Sequence, residues 1–138
     1  MKKHLLIASL LIIPKILFSQ EWTYLGQNYK GDKTYIQNSK INPDTDLYPK
    51  VWSKEYVGSQ MVQKNGKKFP VKNALVVTLD SYDCNQRRKR LEKILIYDSN
   101  QNLVTSHSYN EYSNERDWYY VSPETTADAT LDFVCSKL

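Results

Sequence analysis

Residues 73–84 read Asn73-Ala-Leu-Val-Val-Thr-Leu-Asp-Ser-Tyr-Asp-Cys84, and this stretch decides the fold class. Its middle, Leu75 to Leu79, is apolar toward both faces, which is typical of a strand at the centre of a sheet. The three residues after Leu75 are β-branched, and β-branched side chains favour extended backbone. We therefore predict a central β-strand over residues 72–84 that ends at a cysteine.

Further strands are predicted on both sides of this one, because β-branched and aromatic runs alternate with turn residues. The runs cover residues 21–25, 33–37, 48–57, 88–98, 103–109 and 117–121. Residues 42–46 and 99–102 are rich in Asn, Asp, Pro and Ser and are predicted as turns. Residues 60–70 are polar and basic around Asn65 and Gly66, and they are predicted as an exposed loop.

A helix is predicted after Val121, where the periodicity of apolar residues changes. Ser122 is the predicted N-cap, and Pro123 suits the first turn, where a missing N–H costs nothing. Apolar residues then recur on one helical stripe at Ala127, Leu131, Val134 and Cys135. One helix on one face of an antiparallel sheet is an α+β fold.

The first 20 residues have the pattern of a secretory signal. Two lysines follow Met1, Leu5 to Ile13 is apolar, and Ser19 offers a small residue for cleavage. Pro14 ends the apolar run well before the roughly 20 residues that a spanning helix needs. We predict a signal peptide over residues 1–20 and a single domain over residues 21–138. An uncleaved anchor and a buried helix are the alternatives.

Cleavage would change the charge of the protein. Three of the 19 basic residues leave with the signal and all 15 acidic residues stay, so 16 basic residues face 15 acidic ones and the net charge is +1. That balance gives no argument for a nucleic-acid partner. After cleavage no transmembrane segment is expected.

The two cysteines of the chain, Cys84 and Cys135, both lie in the predicted domain. In an oxidising compartment two such cysteines usually pair, and closing a loop of this length stabilises a fold by about 4 kcal/mol on the chain-entropy model. Two buried free thiols are the alternative. A metal site is not expected, because the only other soft ligand in the domain is His107.

The sequence carries no recognisable catalytic motif. It has no His-x-x-x-His pair, no Gly-x-Ser-x-Gly elbow, no phosphate-binding glycine loop and no Cys-x-x-Cys. Ser106 and His107 are neighbours on a predicted strand, so their side chains point to opposite faces. We therefore do not expect an enzyme.

Two basic clusters are candidates for a patch that binds an anionic partner. They contain Lys64, Lys67, Lys68, Arg87 and Arg90. The alternative is that both are solvated turns paired with carboxylates, with Arg88 in a structural role beside the cysteine.

Aromatic residues form a second candidate surface next to a polar stretch, residues 110–116. They are Tyr109, Tyr112, Trp118, Tyr119 and Tyr120. Exposed tyrosines and tryptophans are common in protein contact surfaces. Core packing in strands is the alternative explanation for most of the aromatic residues.

The most specific pattern combines Tyr82-Asp83-Cys84-x-x-x-Arg88 with a closing Val134-Cys135. Weaker elements accompany it: Trp22-x-Tyr24, Tyr35-Ile36, Val51-Trp52, Tyr97-Asp98, Leu103 to Ser106, Trp118 and Ser122-Pro123. Together they resemble the surface-adhesin protein E family of bacterial envelope proteins. The resemblance implies a six-stranded antiparallel sheet whose concave face holds the C-terminal helix through the two cysteines.

The resemblance also implies a function. We expect a non-catalytic binding module that contacts host extracellular matrix proteins or other envelope proteins, with a homodimer as one form. A structural or assembly component of the envelope is the alternative. The expected location is the periplasm, the outer-membrane surface or the extracellular space. No cysteine lies near the cleavage site to carry a lipid anchor. No cofactor is expected from the residues; haem enters only through the resemblance, with His107 as the strong iron ligand.

Overall fold

The computed structural model describes residues 21–37, 48–109 and 118–138. Within these ranges the elements are β1 (Trp22–Gln27), β2 (Lys33–Gln37), β3 (Lys50–Lys64), β4 (Lys67–Asp83), β5 (Arg88–Tyr97), β6 (Leu103–Ser108), β7 (Tyr119–Tyr120) and α1 (Thr126–Cys135). The predicted signal over residues 1–20, the predicted turn over residues 42–46 and Tyr112 lie outside the described residues.

The strands form an antiparallel meander in which each strand pairs with the next one along the chain, from β1 to β6. The two residues of β7 extend this sheet by pairing with the start of β5. The predicted α+β fold, with about six antiparallel strands and one C-terminal helix, is confirmed.

Strand β4 lies at the centre, paired with β3 on one side and β5 on the other. Alternation along it defines two faces of the sheet. Val76, Thr78, Asp80 and Tyr82 point to the side that carries α1, which we call the helix face. Leu75, Val77 and Leu79 point to the opposite side, which we call the outer face.

Two apolar clusters stabilise the two ends of the sheet. The helix cluster contains Ile36, Val51, Tyr82, Val121, Leu131 and Val134. The hairpin cluster contains Val62, Val71, Ala74, Val76 and Ile96. The first buries the apolar stripe of α1, as the spacing of apolar residues predicts. The second joins the outer half of the β3–β4 hairpin to Ile96 of β5.

The predicted loop over residues 60–70 is wrong. Both strands of the hairpin continue through it, and only Asn65 and Gly66 lie between Lys64 and Lys67. Asn65 has φ 52° and Gly66 has φ 74°, which is the pair of left-handed residues that a tight two-residue hairpin turn needs. The Asn-Gly pair therefore closes a long hairpin whose polar residues face solvent.

The β3–β4 hairpin changes direction where Gly58 stands opposite Asn73. Strict alternation would place Ala74 and Val71 on opposite faces, yet both are buried in the hairpin cluster. Asn73 has φ 49°, a left-handed conformation that breaks the alternation at this point. The tip consequently packs its valines against Val76 on the helix face.

The predicted N-cap is also wrong by three residues. Thr125, and not Ser122, caps the helix, because its Oγ1 accepts a hydrogen bond from the backbone N–H of Asp128 at 3.1 Å. Glu124 has φ 61°, which is incompatible with a right-handed helix and delays its start. Asp128 in turn accepts from the Glu124 N–H at 3.1 Å and places a carboxylate near the positive end of the helix dipole.

The predicted disulfide is confirmed. Cys84 follows the last residue of β4, Cys135 is the last residue of α1, and their Sγ atoms are bonded at 2.01 Å. Arg87 adds a second tie to the helix, because its guanidinium donates to Asp128 and to Asp132, the latter at 2.9 Å. The end of the helix is thus fixed to the end of the central strand.

Candidate binding surface

The outer face of β1, β2 and β3 carries a row of aromatic side chains. Tyr24 stands opposite Tyr35 in the ladder, and Tyr35 stands opposite Lys54. The rings of Tyr24 and Tyr35 have centroids 5.3 Å apart, and Tyr35 lies edge to face with Tyr56 at 5.9 Å. These spacings are those of favourable aromatic pairs.

Lys54 lies at the centre of this row. Its Nζ is 4.4 Å from the ring centroid of Trp22, 5.5 Å from that of Tyr35 and 5.8 Å from that of Tyr56. A cation over several rings is held by the negative ring faces, with each contact worth about 0.5–1 kcal/mol at exposed sites. We call Trp22, Tyr24, Tyr35, Lys54 and Tyr56 the aromatic ladder.

The aromatic ladder is accessible. Tyr24 is 51% exposed and Tyr56 is 48% exposed. The same face continues across β4 and β5 through half-buried apolar residues, among them Leu75 and Leu95. Helix α1 and the hairpin tip pack on the helix face, so among the described residues neither element covers this surface.

The sequence pattern places Trp52, Lys54 and Tyr56 on one face of their strand, but it does not place Tyr24 and Tyr35 beside them. That step depends on the register of β1 and β2, which residue spacing does not determine. The alternation Trp22-x-Tyr24 and the single Tyr35 of a short strand are the only signals in the sequence.

The five basic candidates occupy opposite ends of the molecule. Lys64, Lys67 and Lys68 surround the tip of the β3–β4 hairpin, whereas Arg87 and Arg90 lie at the far end of β4. The 17 residues of β4 span roughly 50 Å between them. The structure therefore does not bring the two groups together into one patch.

The two arginines are engaged in ion pairs. Arg87 bonds the helix carboxylates, and Arg90 donates to Glu92 at 2.8 Å while its guanidinium lies 4.8 Å from the ring centroid of Trp118. Arg88 pairs with Asp83 at 2.9 Å beside the disulfide. At the other end, Lys64 donates to the carbonyl oxygen of Val104 at 3.1 Å.

The described members of the tyrosine candidate are divided between the two faces. Trp118 stacks on Tyr48 with ring centroids 4.8 Å apart, under the guanidinium groups of Arg88 and Arg90. Tyr120 shares that side and is 72% exposed, whereas Tyr119 lies over Lys89 on the helix face.

Tyr109 follows β6, where its ring contacts His107 at a centroid distance of 4.4 Å. His107 is exposed on this edge strand. A haem group needs an iron ligand inside an apolar cavity, so the exposed surroundings of His107 do not fit haem.

A buried polar row lies on the helix face, between the two apolar clusters, and the pairing of the second basic cluster with carboxylates is the part of it that the sequence suggests. Ser53 and Thr78 share a hydrogen bond of 2.9 Å, Thr78 donates to Asp80 at 3.0 Å, and Lys89 approaches the same carboxylate at 3.6 Å. Burial raises the pKa of Asp80, which is 1% exposed, and the charge of Lys89 lowers it only in part.

The pKa values of two neighbouring groups are raised as well. Burial opposes the charged form of Lys89, but Asp80 and Tyr119 outweigh it and raise the pKa of Lys89. Burial and Asp32 raise the pKa of Glu55, against the charge of Lys89. Because Asp80 is closed to solvent, this row offers little to a ligand.

Metal ligands do not gather in the described part of the chain: no group of three or more His, Cys, Asp or Glu residues could hold an ion there. Likewise, among residues 21–37, 48–109 and 118–138 no helix reaches the length and hydropathy needed to cross a membrane.

The fold and the aromatic ladder define a small, disulfide-bonded β-sheet domain with an exposed aromatic surface. The chain belongs to the surface-adhesin protein E family, whose family model matches residues 22–136. No curated protein and no solved structure gives a significant match. Family membership indicates a non-catalytic protein, exported or at the envelope surface, that binds protein partners.

Proposed function

We propose that this protein is an exported binding module that recognises a protein partner through the aromatic ladder on its outer face. One observation carries the proposal: four aromatic side chains from three strands form a continuous, half-exposed surface around Lys54. The partner is a host extracellular matrix protein or another envelope protein, and a second copy of the chain is a further candidate for the same face.

The composition of the ladder supports recognition of protein. Tyrosine and tryptophan are enriched in the cores of protein interfaces, because each buries a large area while few rotatable bonds are fixed. Tyr24 and Tyr56 already contact neighbouring rings, so little side-chain conformational entropy would be lost when a partner binds.

Export is supported by two features of the chain. The predicted signal over residues 1–20 precedes the domain, and a disulfide of this kind persists in oxidising compartments. The periplasm, the outer-membrane surface and the extracellular space all satisfy this condition.

The proposal is tested by capture with the mature protein, purified from an oxidising compartment. The protein is immobilised and exposed to host matrix proteins and, separately, to an envelope extract. We expect the double variant Tyr24→Ala/Tyr56→Ala to retain its partner at least tenfold more weakly, because it removes two anchoring rings. Tyr29→Ala is the matched control, since Tyr29 is 93% exposed but lies outside the ladder.

The outcomes separate the competing functions. Retention of matrix proteins that depends on the ladder supports adhesion to the host. Retention of envelope proteins alone assigns the domain to envelope assembly. Equal capture by the double variant and the parent would refute the ladder as the recognition surface. Tyr120→Ala and Lys67→Glu, made in parallel, test the tyrosine and basic candidates.

A further inference from the structure

We propose that the outer face also carries a binding site for a neutral saccharide, in a cleft beside the turn that joins β5 to β6. The cleft has a volume of about 470 Å³, within the range of small-molecule sites. The proposal is independent of protein recognition by the ladder, although Tyr56 borders both surfaces.

The floor of the cleft is a single cross-strand row. Tyr56 stands opposite Leu75, and Leu75 stands opposite Tyr97. Side chains in such a row lie side by side on one face. Two aromatic rings thus flank an aliphatic side chain, and this is a surface onto which the C–H groups of a pyranose ring pack well.

The rim of the cleft offers neutral polar groups. Asn73, Ser99 and Gln101 line it, and their amides and hydroxyl can each donate and accept hydrogen bonds. Sugar hydroxyls also donate and accept. An apolar floor with a few convergent polar groups is the usual composition of a ligand site, and here it matches the two kinds of surface on a sugar.

The charge at the rim disfavours an anionic ligand. Asp98 is the one charged residue among the described residues that line the cleft, and its carboxylate holds the turn. It accepts the backbone N–H groups of Asn100 and Asn102, both at 2.9 Å. These bonds lower the pKa of Asp98. No cationic residue of the described lining attracts a phosphate, and the backbone N–H groups of the turn already occupy one oxygen of Asp98.

The backbone of the rim is constrained before any ligand arrives. Asn73 has φ 49° and Gln101 has φ 66°, so both rim amides sit on left-handed backbone. Such conformations cost conformational energy in residues other than glycine, and they cluster at functional sites. Gln101 is further held by its N–H, which donates to the carbonyl oxygen of Asp98 at 3.0 Å.

The site is tested by NMR titration of the ¹⁵N-labelled mature protein. The probes are the neutral disaccharides maltose, lactose, cellobiose and N,N′-diacetylchitobiose, with sialyllactose as the charged comparison. We expect at least one neutral disaccharide to give saturable shifts at the amides of Asn73, Ser99 and Gln101 at millimolar concentration. The absence of saturable shifts with every neutral probe, or stronger binding of the charged one, would overturn the proposal.

Variants place the binding in the cleft. Tyr97→Ala should weaken binding about tenfold or more, because it removes half of the aromatic floor. Gln101→Gly relieves the strained φ yet removes the rim amide, so it should fold well and bind more weakly, whereas Gln101→Asn should bind like the parent. An unchanged affinity in both Tyr97→Ala and Gln101→Gly would refute the site.

Two further comparisons separate this proposal from the protein-binding one and identify the source of the sugar. Tyr24→Ala should weaken capture of a protein partner and leave saccharide binding unchanged, while Tyr97→Ala should do the reverse. Retention of a host glycoprotein that is lost on enzymatic deglycosylation would indicate a host glycan. Retention of envelope polysaccharide would indicate a bacterial one.

Discussion

The two ends of the sheet are stabilised in different ways. At the helix end, Leu131 and Val134 are fully buried, a disulfide joins β4 to α1, and Arg87 bonds two carboxylates of the helix. At the hairpin end, the buried residues are mainly valines, and the tip makes one side-chain bond to β6 among the described residues, from Lys64 to Val104.

The difference indicates where the molecule opens first. Local opening is easiest where few apolar contacts must be broken and no covalent bond limits the motion. No covalent bond limits the hairpin tip, whereas the disulfide closes the helix end. The aromatic ladder lies between them on the outer face, so its geometry depends on the rigid part of the sheet rather than on the tip.

Removal of the disulfide should have the largest effect on this contrast. The double variant Cys84→Ala/Cys135→Ala releases a link between residues 51 positions apart, and we expect a loss of about 4 kcal/mol in the free energy of unfolding. Urea unfolding measures the loss. Hydrogen exchange should show that amides of α1 lose protection more than those of the β3–β4 tip.

The position of the loss is the informative part of that experiment. Equal loss of protection at both ends would mean that the sheet unfolds as one unit and that the two ends are not separate. A stability change below about 1 kcal/mol would mean that burial of the helix stripe is sufficient without the covalent bond.

Shortening a buried side chain at the hairpin end should have the next largest effect. Val62 is 3% exposed, and Val62→Ala removes about two methylene equivalents and leaves a cavity, so we expect a loss of about 2 kcal/mol. Met61→Ala is the matched control, because Met61 is the adjacent residue and is 58% exposed. Hydrogen-exchange protection should fall at the hairpin tip and stay unchanged in α1. An equal fall in α1 would show that the two ends of the sheet do not open separately.

The turn of the same hairpin allows a test of backbone conformation alone. Gly66 has φ 74°, and no neighbouring atom lies within 4 Å of the position that a Cβ would occupy there. Gly66→Ala should therefore cost about 1 kcal/mol through the left-handed backbone and not through a clash. Gly58→Ala meets equally open space without a positive φ, and it should be neutral or slightly stabilising. Urea midpoints of the two variants are compared; similar midpoints would show that the turn is not held in the observed conformation.

The sequence predicts the helix end of the molecule better than the hairpin end. The apolar stretch from Leu75 to Leu79 and the helical stripe through Leu131 follow local patterns of apolar residues. Such patterns can be read directly from the sequence. The Cys84–Cys135 pair follows from the predicted compartment and is confirmed. The strand and the helical stripe are features that neighbouring residues determine, whereas the disulfide was predicted from the compartment.

The features that escaped prediction arise from conformations that composition does not encode. Residues 60–70 are polar enough for a loop, yet the Asn65-Gly66 turn keeps them paired in a ladder. The left-handed Glu124 moves the helix start to Thr125. The aromatic ladder requires the register of three strands, and each contributes only one to two recognisable aromatic positions.

The smallest expected effect concerns a buried hydroxyl group without a hydrogen-bond partner at the helix end. Tyr82 is fully buried in the helix cluster, and its hydroxyl has no hydrogen-bond partner among the described residues. Burial, with a smaller contribution from Asp80, raises the pKa of Tyr82 well above its ordinary value. Tyr82→Phe should therefore keep the packing and stabilise the fold by up to about 1 kcal/mol at neutral pH.

The stability difference between the parent and Tyr82→Phe should depend on pH. A group whose pKa is raised on folding contributes stability in full below its unfolded pKa, about 10 for tyrosine, and loses it as the pH rises through the folded value. The parent should thus lose stability above about pH 10 more steeply than Tyr82→Phe, so the advantage of the variant grows with pH. Urea unfolding on both sides of that pH measures the two curves. A variant that is less stable than the parent at neutral pH would contradict the prediction. It would show that the Tyr82 hydroxyl is hydrogen-bonded in solution.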